Sequence, residues 1–474
     1  MASGGRKAAG LALMVCALLA GIEGSRAQDY EPGRDDPKQK NLFRRSSKDP
    51  TTRDPQRREA PPSSSTYDEK DEAPPPDAPR PAPGVPGPGM PAQPGDPRPA
   101  EGASLIDEIV VKANARARFF TGYDSNVFRA ERGRRGDGFF HGYGEAQCLV
   151  TFPEERELFA SVSGEGISYF KEQAVNETYG SSFVDYYHPL SSVFDIDVQN
   201  TFEYSAQNLL DDNGDLLPRA KFNAYDEEAR GTVIIHLGPR VSFEVAGGGR
   251  YKAFEDNPGL PSLSYWEARG AGAIRYKVWA DGRFKLRYVF RDRRYLELPA
   301  NLRDGSAATN NPKLELQRHQ AITTFSQRAD LFGMRFVAQL NYTYTYNKDT
   351  FQNDRSYQEH SLAGHVEWWP IPTWTALDFD VRGGDRLFLV RRTLRRGDPR
   401  FGTHLEQAYC EITIGAWQRL IGPATRGPDG DFANSERGLC VALTFETSYY
   451  IYQSTDIRSS YARFIVQGGI EASF

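Results

Sequence analysis

Nine lysine and arginine residues are distributed over three consecutive segments, residues 241–255, 263–279 and 282–295. Within each segment, these residues are separated by an even number of positions, so that a strand would place them on one face. Apolar residues such as Phe284, Leu286 and Tyr288 fill the positions between them. Guanidinium and ammonium groups bind carboxylates and phosphates, so one surface that carries all of them would attract anions. The nine residues are Arg250, Lys252, Arg269, Arg275, Lys277, Arg283, Lys285, Arg287 and Arg291.

Acidic residues follow the same alternation on other segments. Across a water-filled space, facing charges of both signs would create a transverse field that selects solutes by charge and dipole. Alternatively, the charges only neutralise one another inside a filled interior. The acidic residues predicted to line this space are Asp195, Asp197, Glu203, Asp226, Glu228, Asp378 and Asp380.

The alternation itself indicates β-strands. In residues 334–348, for example, Phe336, Ala338 and Leu340 alternate with Arg335 and Gln339. A strand sorts such residues onto two opposite faces, whereas a helix would scatter them around its axis. The pattern predicts about 16 strands, near 111–120, 138–151, 157–170, 177–189, 192–206, 220–237, 241–255, 263–279, 282–295, 314–328, 334–348, 356–369, 373–390, 404–420, 436–452 and 458–474.

These strands predict an all-β fold, a closed antiparallel transmembrane β-barrel of about 16 strands (14–18) over residues 105–474. After the N-terminal segment, the chain has no apolar run of the roughly 18 residues that a membrane helix needs. Short connections alternate with longer polar ones, as at the two rims of an outer-membrane barrel. A soluble β-sandwich or propeller is the alternative, but it would usually have shorter strands.

Two segments precede the predicted barrel. Residues 1–27 have a basic start at Arg6 and Lys7, an apolar stretch, and small residues at Ser25 and Ala27, which predicts a secretory signal peptide. Residues 28–104 hold 18 of the 31 prolines and almost no aliphatic residues. This composition predicts a disordered, proline-rich and charged periplasmic tail, with a periplasmic partner as one option for its role.

Two motifs connect the chain to Gram-negative outer-membrane barrels. Phe474 ends an alternating apolar segment at the C-terminus, and it resembles the signal that the barrel-assembly machinery recognises. Residues 120–129 contain Gly-Tyr-Asp-Ser-Asn, which resembles the stretch after the first strand in the β-barrel porin 2 family. The resemblance implies an outer-membrane location and a barrel, and it leaves the transported solute open. Asp124, Ser125 and Asn126 also suit a turn, since Asp and Asn readily bond their own backbone.

These observations predict an outer-membrane, porin-like barrel with a water-filled pore for small hydrophilic or anionic solutes. The alternatives are an exporter pore for an anionic polysaccharide and a plugged, structural barrel. Composition and motifs indicate no enzyme, cofactor, metal site or nucleic-acid partner. The best pair for catalysis is His365 with Glu367, which a polar lumen explains equally well. The predicted partners are membrane lipid, the assembly machinery and the solute.

Overall fold

The computed structural model describes residues 109–474, apart from 128–133, 154–155, 211–215, 256–261, 280, 303–309, 332–333, 372–373, 393–401, 423–437 and 456–459. The predicted signal peptide and the predicted proline-rich tail lie outside the described residues. Within the described part of the chain, no helix has the length and apolar character needed to cross a membrane.

The described residues form sixteen β-strands and one 3-10 helix, Gln173–Val175. Most strands are rich in β-branched and aromatic residues at alternate positions, which suits a pleated sheet with two different faces. The strands are β1 (Val110–Asp124), β2 (Asp137–Thr151), β3 (Glu157–Tyr169), β4 (Glu177–Pro189), β5 (Phe194–Leu210), β6 (Leu216–His236), β7 (Val241–Phe254), β8 (Tyr265–Trp279), β9 (Gly282–Pro299), β10 (Lys313–Leu331), β11 (Met334–Asp349), β12 (Tyr357–Ile371), β13 (Thr375–Arg392), β14 (His404–Ile421), β15 (Cys440–Ser454) and β16 (Tyr461–Ser473).

Each strand pairs antiparallel with its neighbours in sequence, and β1 pairs with β16 to close the sheet. The β1–β16 register runs from Arg116 opposite Ser473 to Asp124 opposite Ile465. Beyond this register, Ala115 and the terminal Phe474 exchange two backbone hydrogen bonds of 2.9 and 3.0 Å. The prediction of a closed antiparallel barrel of about 16 strands is therefore confirmed, and closure removes the unpaired edges of an open sheet.

The two rims of the barrel differ in their connections. At the short-turn rim, six connections have two to five residues, for example 280–281 between β8 and β9. At the long-loop rim, the connections reach 13 residues, at 300–312 between β9 and β10. The exception is 422–439, a long connection at the short-turn rim. Because the strand number is even, Val110 and Phe474 both lie at the short-turn rim.

Apolar side chains cover the outer face of the barrel. Phe119, Phe140 and Val245 are 71%, 63% and 59% exposed. On β9 the apolar band ends where Arg294 pairs with Asp292 at 2.9 Å. A continuous apolar exterior of this kind would be unfavourable in water, and it is the surface of a barrel that spans a membrane.

The inner face combines polar and apolar regions. Near the short-turn rim, Trp369 and Trp417 pack edge to face with ring centroids 5.8 Å apart. Ala376, Cys440 and Ala442 complete this buried group. The sequence pattern predicts an apolar outside and a polar inside, but part of the interior is apolar because aromatic side chains on the concave wall pack on one another.

Candidate pore lining

The nine cationic residues singled out in the sequence all have inward-facing positions in the barrel. The register places Arg291 opposite Arg269 and Lys285 opposite Arg275, so that β8 and β9 form one wall. On β9, between Lys285 and Arg291, Tyr288 points outward and is half exposed. The alternation in the sequence therefore placed each of the nine cationic side chains on the face that it occupies in the structure.

Strand β9 carries the longest cationic series. Five of its six inward positions from 283 to 293 are basic, and Val289 is the sixth. At about 3.3 Å per residue, this ladder extends roughly 33 Å along the strand. A strand tilt of about 40° makes this roughly 25 Å along the barrel axis, the height of the apolar band of such barrels. The cationic members of the β9 ladder are Arg283, Lys285, Arg287, Arg291 and Arg293.

The inner faces of β6–β10, which carry the nine cationic residues, are here called the cationic wall. Two predicted acidic residues lie within this wall and not across the lumen from it. Asp226, on β6, accepts a 2.7 Å hydrogen bond from Nε of Arg250 and contacts Nζ of Lys252 at 3.2 Å. Glu228 forms an ion pair with Arg269. The expected field between separate walls is thus partly cancelled within one wall. The pairing of β6 with β7 brings Asp226 to its partners, and Glu228 reaches across β7 to Arg269 of β8.

The acidic residues of β5 lie farther along the same side of the barrel. Asp195 accepts a 2.8 Å hydrogen bond from the hydroxyl of Tyr187 and contacts Nε2 of His236 at 2.7 Å. Asp197 is buried and Glu203 is half-buried, both at inward positions. These three carboxylates border the cationic wall.

Two acidic residues within the cationic strands escaped the sequence analysis. Glu244 on β7 pairs with Arg275 and contacts Nζ of Lys285 at 3.0 Å. Glu267 on β8 accepts a 3.0 Å hydrogen bond from Nε of Arg293. Both acids share the parity of the basic residues on their strands, and this signal was available in the sequence.

The wall nevertheless keeps a large positive excess. Among the described inward side chains of β6–β10, thirteen are lysine or arginine and four are acidic, namely Asp226, Glu228, Glu244 and Glu267. Four ion-paired acids cannot neutralise this wall. The thirteen basic residues are Arg230, Arg250, Lys252, Arg269, Arg275, Lys277, Arg283, Lys285, Arg287, Arg291, Arg293, Arg318 and Arg328.

A row of arginines crosses this wall in register. Arg318, Arg291 and Arg269 are directly opposite one another on β10, β9 and β8. On β7 the row continues through Gly248, which faces Arg269 on one side and Arg230 of β6 on the other. A Cβ at Gly248 would come within 2.3 Å of the backbone oxygen of Ala229, so this position requires glycine.

At the middle of strands β10–β12 the inner wall has a different character. Short polar side chains such as Thr324, Asn341 and Ser361 are half-buried there, and Thr324 donates a 2.7 Å hydrogen bond to Asn341. Partly exposed hydroxyl and amide groups interact with water without a net charge. This polar wall adjoins the cationic wall at β10.

The remaining predicted acidic residues, Asp378 and Asp380 on β13, surround a histidine. Asp380 lies 2.9 Å from Nδ1 of His365, on the adjacent strand β12. Ligand atoms of His365, Glu367 and Asp378 lie within 4.8 Å of one another, a spacing that also suits a cation. The His365–Glu367 pair considered for catalysis is thus part of a four-residue charged cluster.

The Asp-Ser-Asn motif forms a turn and also anchors the barrel. Oδ1 of Asp124 accepts a 2.9 Å hydrogen bond from the backbone N–H of Asn126, as expected of an Asp that closes a turn. The same carboxylate is fully buried and binds Arg463 of β16 and the hydroxyl of Tyr169. The first and last strands are thereby joined by a buried ion pair, which the sequence did not reveal.

Comparisons with known proteins found matches of low identity among solved structures. No family model matches the sequence, and no curated protein matches it. Among solved structures, CdiB from Acinetobacter baumannii is 11% identical with a TM-score of 0.42; the match covers 78% of this chain and slightly less than two thirds (66%) of CdiB. OccAB1 from the same organism is 9% identical with a TM-score of 0.38, covering 76% and 97% of the two chains. A bacterial polysaccharide outer membrane secretin is 8% identical with a TM-score of 0.36, covering 76% and 97%.

At these identities and scores the likeness carries no argument about function. The resemblance of residues 120–129 to the β-barrel porin 2 family therefore stays a prediction.

Proposed function

We propose that this chain is an outer-membrane porin-like barrel whose lumen is a water-filled pore for small hydrophilic solutes, with a preference for anions. The β9 ladder is the observation that carries the proposal, because it presents cations along the whole height of the membrane-spanning wall. Its side chains would replace part of the hydration of an anion at each step, while repelling cations of similar size.

The polar wall of β10–β12 supports a water-filled path next to this ladder. Half-buried Thr324, Asn341 and Ser361 offer hydrogen bonds to water and to uncharged solutes. A solute could therefore contact cations on one side and neutral polar groups on the other. This arrangement favours dipolar or anionic solutes over apolar ones.

The proposed location is the outer membrane of a Gram-negative bacterium. The apolar exterior requires a membrane, and closed barrels are the strand-built structures that satisfy every backbone group there. With the short-turn rim in the periplasm, as is usual, the tail at residues 28–104 would extend into that compartment. Signal cleavage and recognition of Phe474 by the barrel-assembly machinery complete the proposed route.

Export of an anionic polysaccharide is the second candidate, and the axial direction of the β9 ladder favours it. A polymer could contact Arg283, Arg287 and Arg291 in succession as it advances. The two candidates differ in size selection, since an exporter must admit a chain that a diffusion pore for small solutes excludes.

Conductance of the purified full chain in a planar bilayer tests the proposal. We expect stepwise channels and a reversal potential displaced toward the chloride potential under a potassium chloride gradient. A small anionic sugar should permeate, and a long anionic polysaccharide should not. A folded protein that inserts without conductance would establish the plugged barrel, and passage of the polymer would establish the exporter.

A further inference from the structure

The strongest feature that the proposed pore does not account for is a group of arginines around Gly248. Arg230 and Arg269 stand opposite Gly248 from its two sides, on β6 and β8. Their Cα atoms are therefore about 10 Å apart, at two strand spacings of about 4.8 Å. Because Gly248 has no side chain, no side chain of β7 stands between the two arginines at this register position.

Arg287 of β9 approaches the same place. Its guanidinium is close enough to Arg230, Arg269 and Arg275 to be repelled by them, and close enough to Glu228 to be attracted by it. Glu228 already pairs with Arg269, and Glu244 pairs with Arg275. Among the described residues, no ion pair or hydrogen bond joins Arg230 or Arg287 to an acid, and Nε of Arg230 is buried without a hydrogen-bond partner.

Cations held this close repel one another, and the wall screens them less than bulk water would. Asp197 and Asp185 lie near enough to Arg230 to offset part of this repulsion. A barrel needs no such group to fold, because a polar uncharged residue would fill these positions at lower cost. The group therefore points to a negatively charged ligand that the arginines hold together.

The geometry of guanidinium selects the chemical class of this ligand. Each group donates two parallel hydrogen bonds to a planar or tetrahedral oxyanion, which a halide cannot accept in the same way. Two or more negative charges are needed to offset the excess of Arg230 and Arg287. A phosphate, a sulfate or a compact dicarboxylate meets both conditions.

We propose that Arg230, Arg269 and Arg287, around the gap at Gly248, form a binding site for a polyvalent oxyanion on the inner wall. The proposal rests on the proposed function only in treating this anion as a solute that passes through the lumen. Glu228 tunes the site, because it neutralises one of the three arginines. Binding itself does not require a pore that is open from rim to rim.

Thermal unfolding of the full chain in detergent micelles, with inorganic phosphate as the probe, tests the site. We expect phosphate to raise the unfolding temperature more than sodium chloride of equal ionic strength. Arg230→Gln and Arg287→Gln should each weaken phosphate binding by about tenfold or more, since a charge-assisted hydrogen bond contributes about 1.5–3 kcal/mol and 1.4 kcal/mol is tenfold. Arg294→Gln, on the exposed outer face, should respond as the wild type does.

Two further measurements keep the proposal falsifiable. Arg287→Lys retains the charge and loses the planar fork, so phosphate should stabilise it less than the wild type even if Arg287→Gln does not fold. Sulfate and malonate titrations identify which oxyanion binds best. Equal responses to phosphate and chloride, or unchanged affinity in both glutamine variants, would overturn the site. A protein that conducts but does not bind phosphate loses this site only, and one that binds phosphate but does not conduct loses the pore only.

Discussion

Nε of Arg463, in the last strand, donates hydrogen bonds of 3.0 and 2.9 Å to the two carboxylate oxygens of Asp124, in the first strand. Asp124 is fully buried, and the hydroxyl of Tyr169 also donates a hydrogen bond to it at 3.1 Å. The two ends of the barrel sequence are thus joined near the long-loop rim by charges that water does not reach. At the opposite end of the same seam, Ala115 and Phe474 are joined by backbone hydrogen bonds alone.

We predict that Asp124→Asn destabilises the closed barrel strongly. Removal of one partner leaves Arg463 as an uncompensated buried charge, at a cost of about 3–5 kcal/mol. Urea unfolding in micelles, followed by tryptophan fluorescence, measures the change. Asp292→Asn removes the half-buried carboxylate that pairs with the exposed Arg294 on β9 and serves as the control, with little change expected. Equal stabilities of the two variants would show that the seam does not depend on this ion pair.

Phe474 has two proposed contributions: its ring as an assembly signal, and its backbone hydrogen bonds as part of the closure between β1 and β16. Substitution and deletion separate them. Phe474→Ala keeps the backbone hydrogen bonds to Ala115 and removes only the exposed aromatic ring. If the ring is an assembly signal, this variant should accumulate less folded barrel in the outer membrane while signal cleavage continues. Deletion of Phe474 removes the hydrogen bonds as well and should be more severe. Heat-modifiable gel mobility of membrane fractions measures the amount of folded barrel for both variants. A normal amount of folded Phe474→Ala would show that the residue contributes only the backbone hydrogen bonds that close the seam.

Ion selectivity should follow the β9 ladder. Replacing Arg283, Arg287 and Arg291 together with Glu should displace the reversal potential toward the potassium potential, because three positive charges become negative along the proposed path. Arg275 is left out of this set because it is buried in an ion pair with Glu244, so its replacement would disturb folding. Arg294→Glu, on the outer face, is the charge-matched control for one site. Unaltered selectivity in the triple variant would place the constriction elsewhere.

Glu244→Gln should change selectivity in the opposite direction. This substitution releases Arg275 and Lys285 from the acid that both contact, and it removes one negative charge from the wall. We expect stronger anion preference together with lower stability. Bilayer recordings and urea unfolding of the same preparation measure the two effects. A shift toward cations would contradict the assignment of this wall to the permeation path.

Two adjacent glycines provide a matched test of the gap in the arginine row. Gly248→Ala would bring a Cβ within 2.3 Å of the backbone oxygen of Ala229, whereas a Cβ at Gly247 meets nothing within 4 Å. We expect Gly248→Ala to lower the free energy of unfolding by about 1–3 kcal/mol, as overpacking typically does. Gly247→Ala should change it little. Comparable unfolding curves for both variants would show that β7 adjusts without strain.

The amino-acid pattern alone was sufficient to predict the fold class and the face on which most side chains lie. Period-two alternation is a local property, and a closed membrane barrel makes it visible because one face meets lipid and the other does not. For this reason Arg283, Arg287 and Asp226 could be assigned to the inner face without coordinates. The same alternation indicated about 16 strands, which the fold has.

The contacts between charged side chains, in contrast, depend on the folded sheet. Asp226 and Glu228 were expected to face the cationic wall across water, but the register places them in contact with Arg250 and Arg269. The pairing of Asp124 with Arg463 joins residues at opposite ends of the barrel sequence, so no local pattern could announce it. Alternation specifies a face, whereas ion pairs depend on strand register, closure and side-chain reach, which are settled only when the whole sheet has formed.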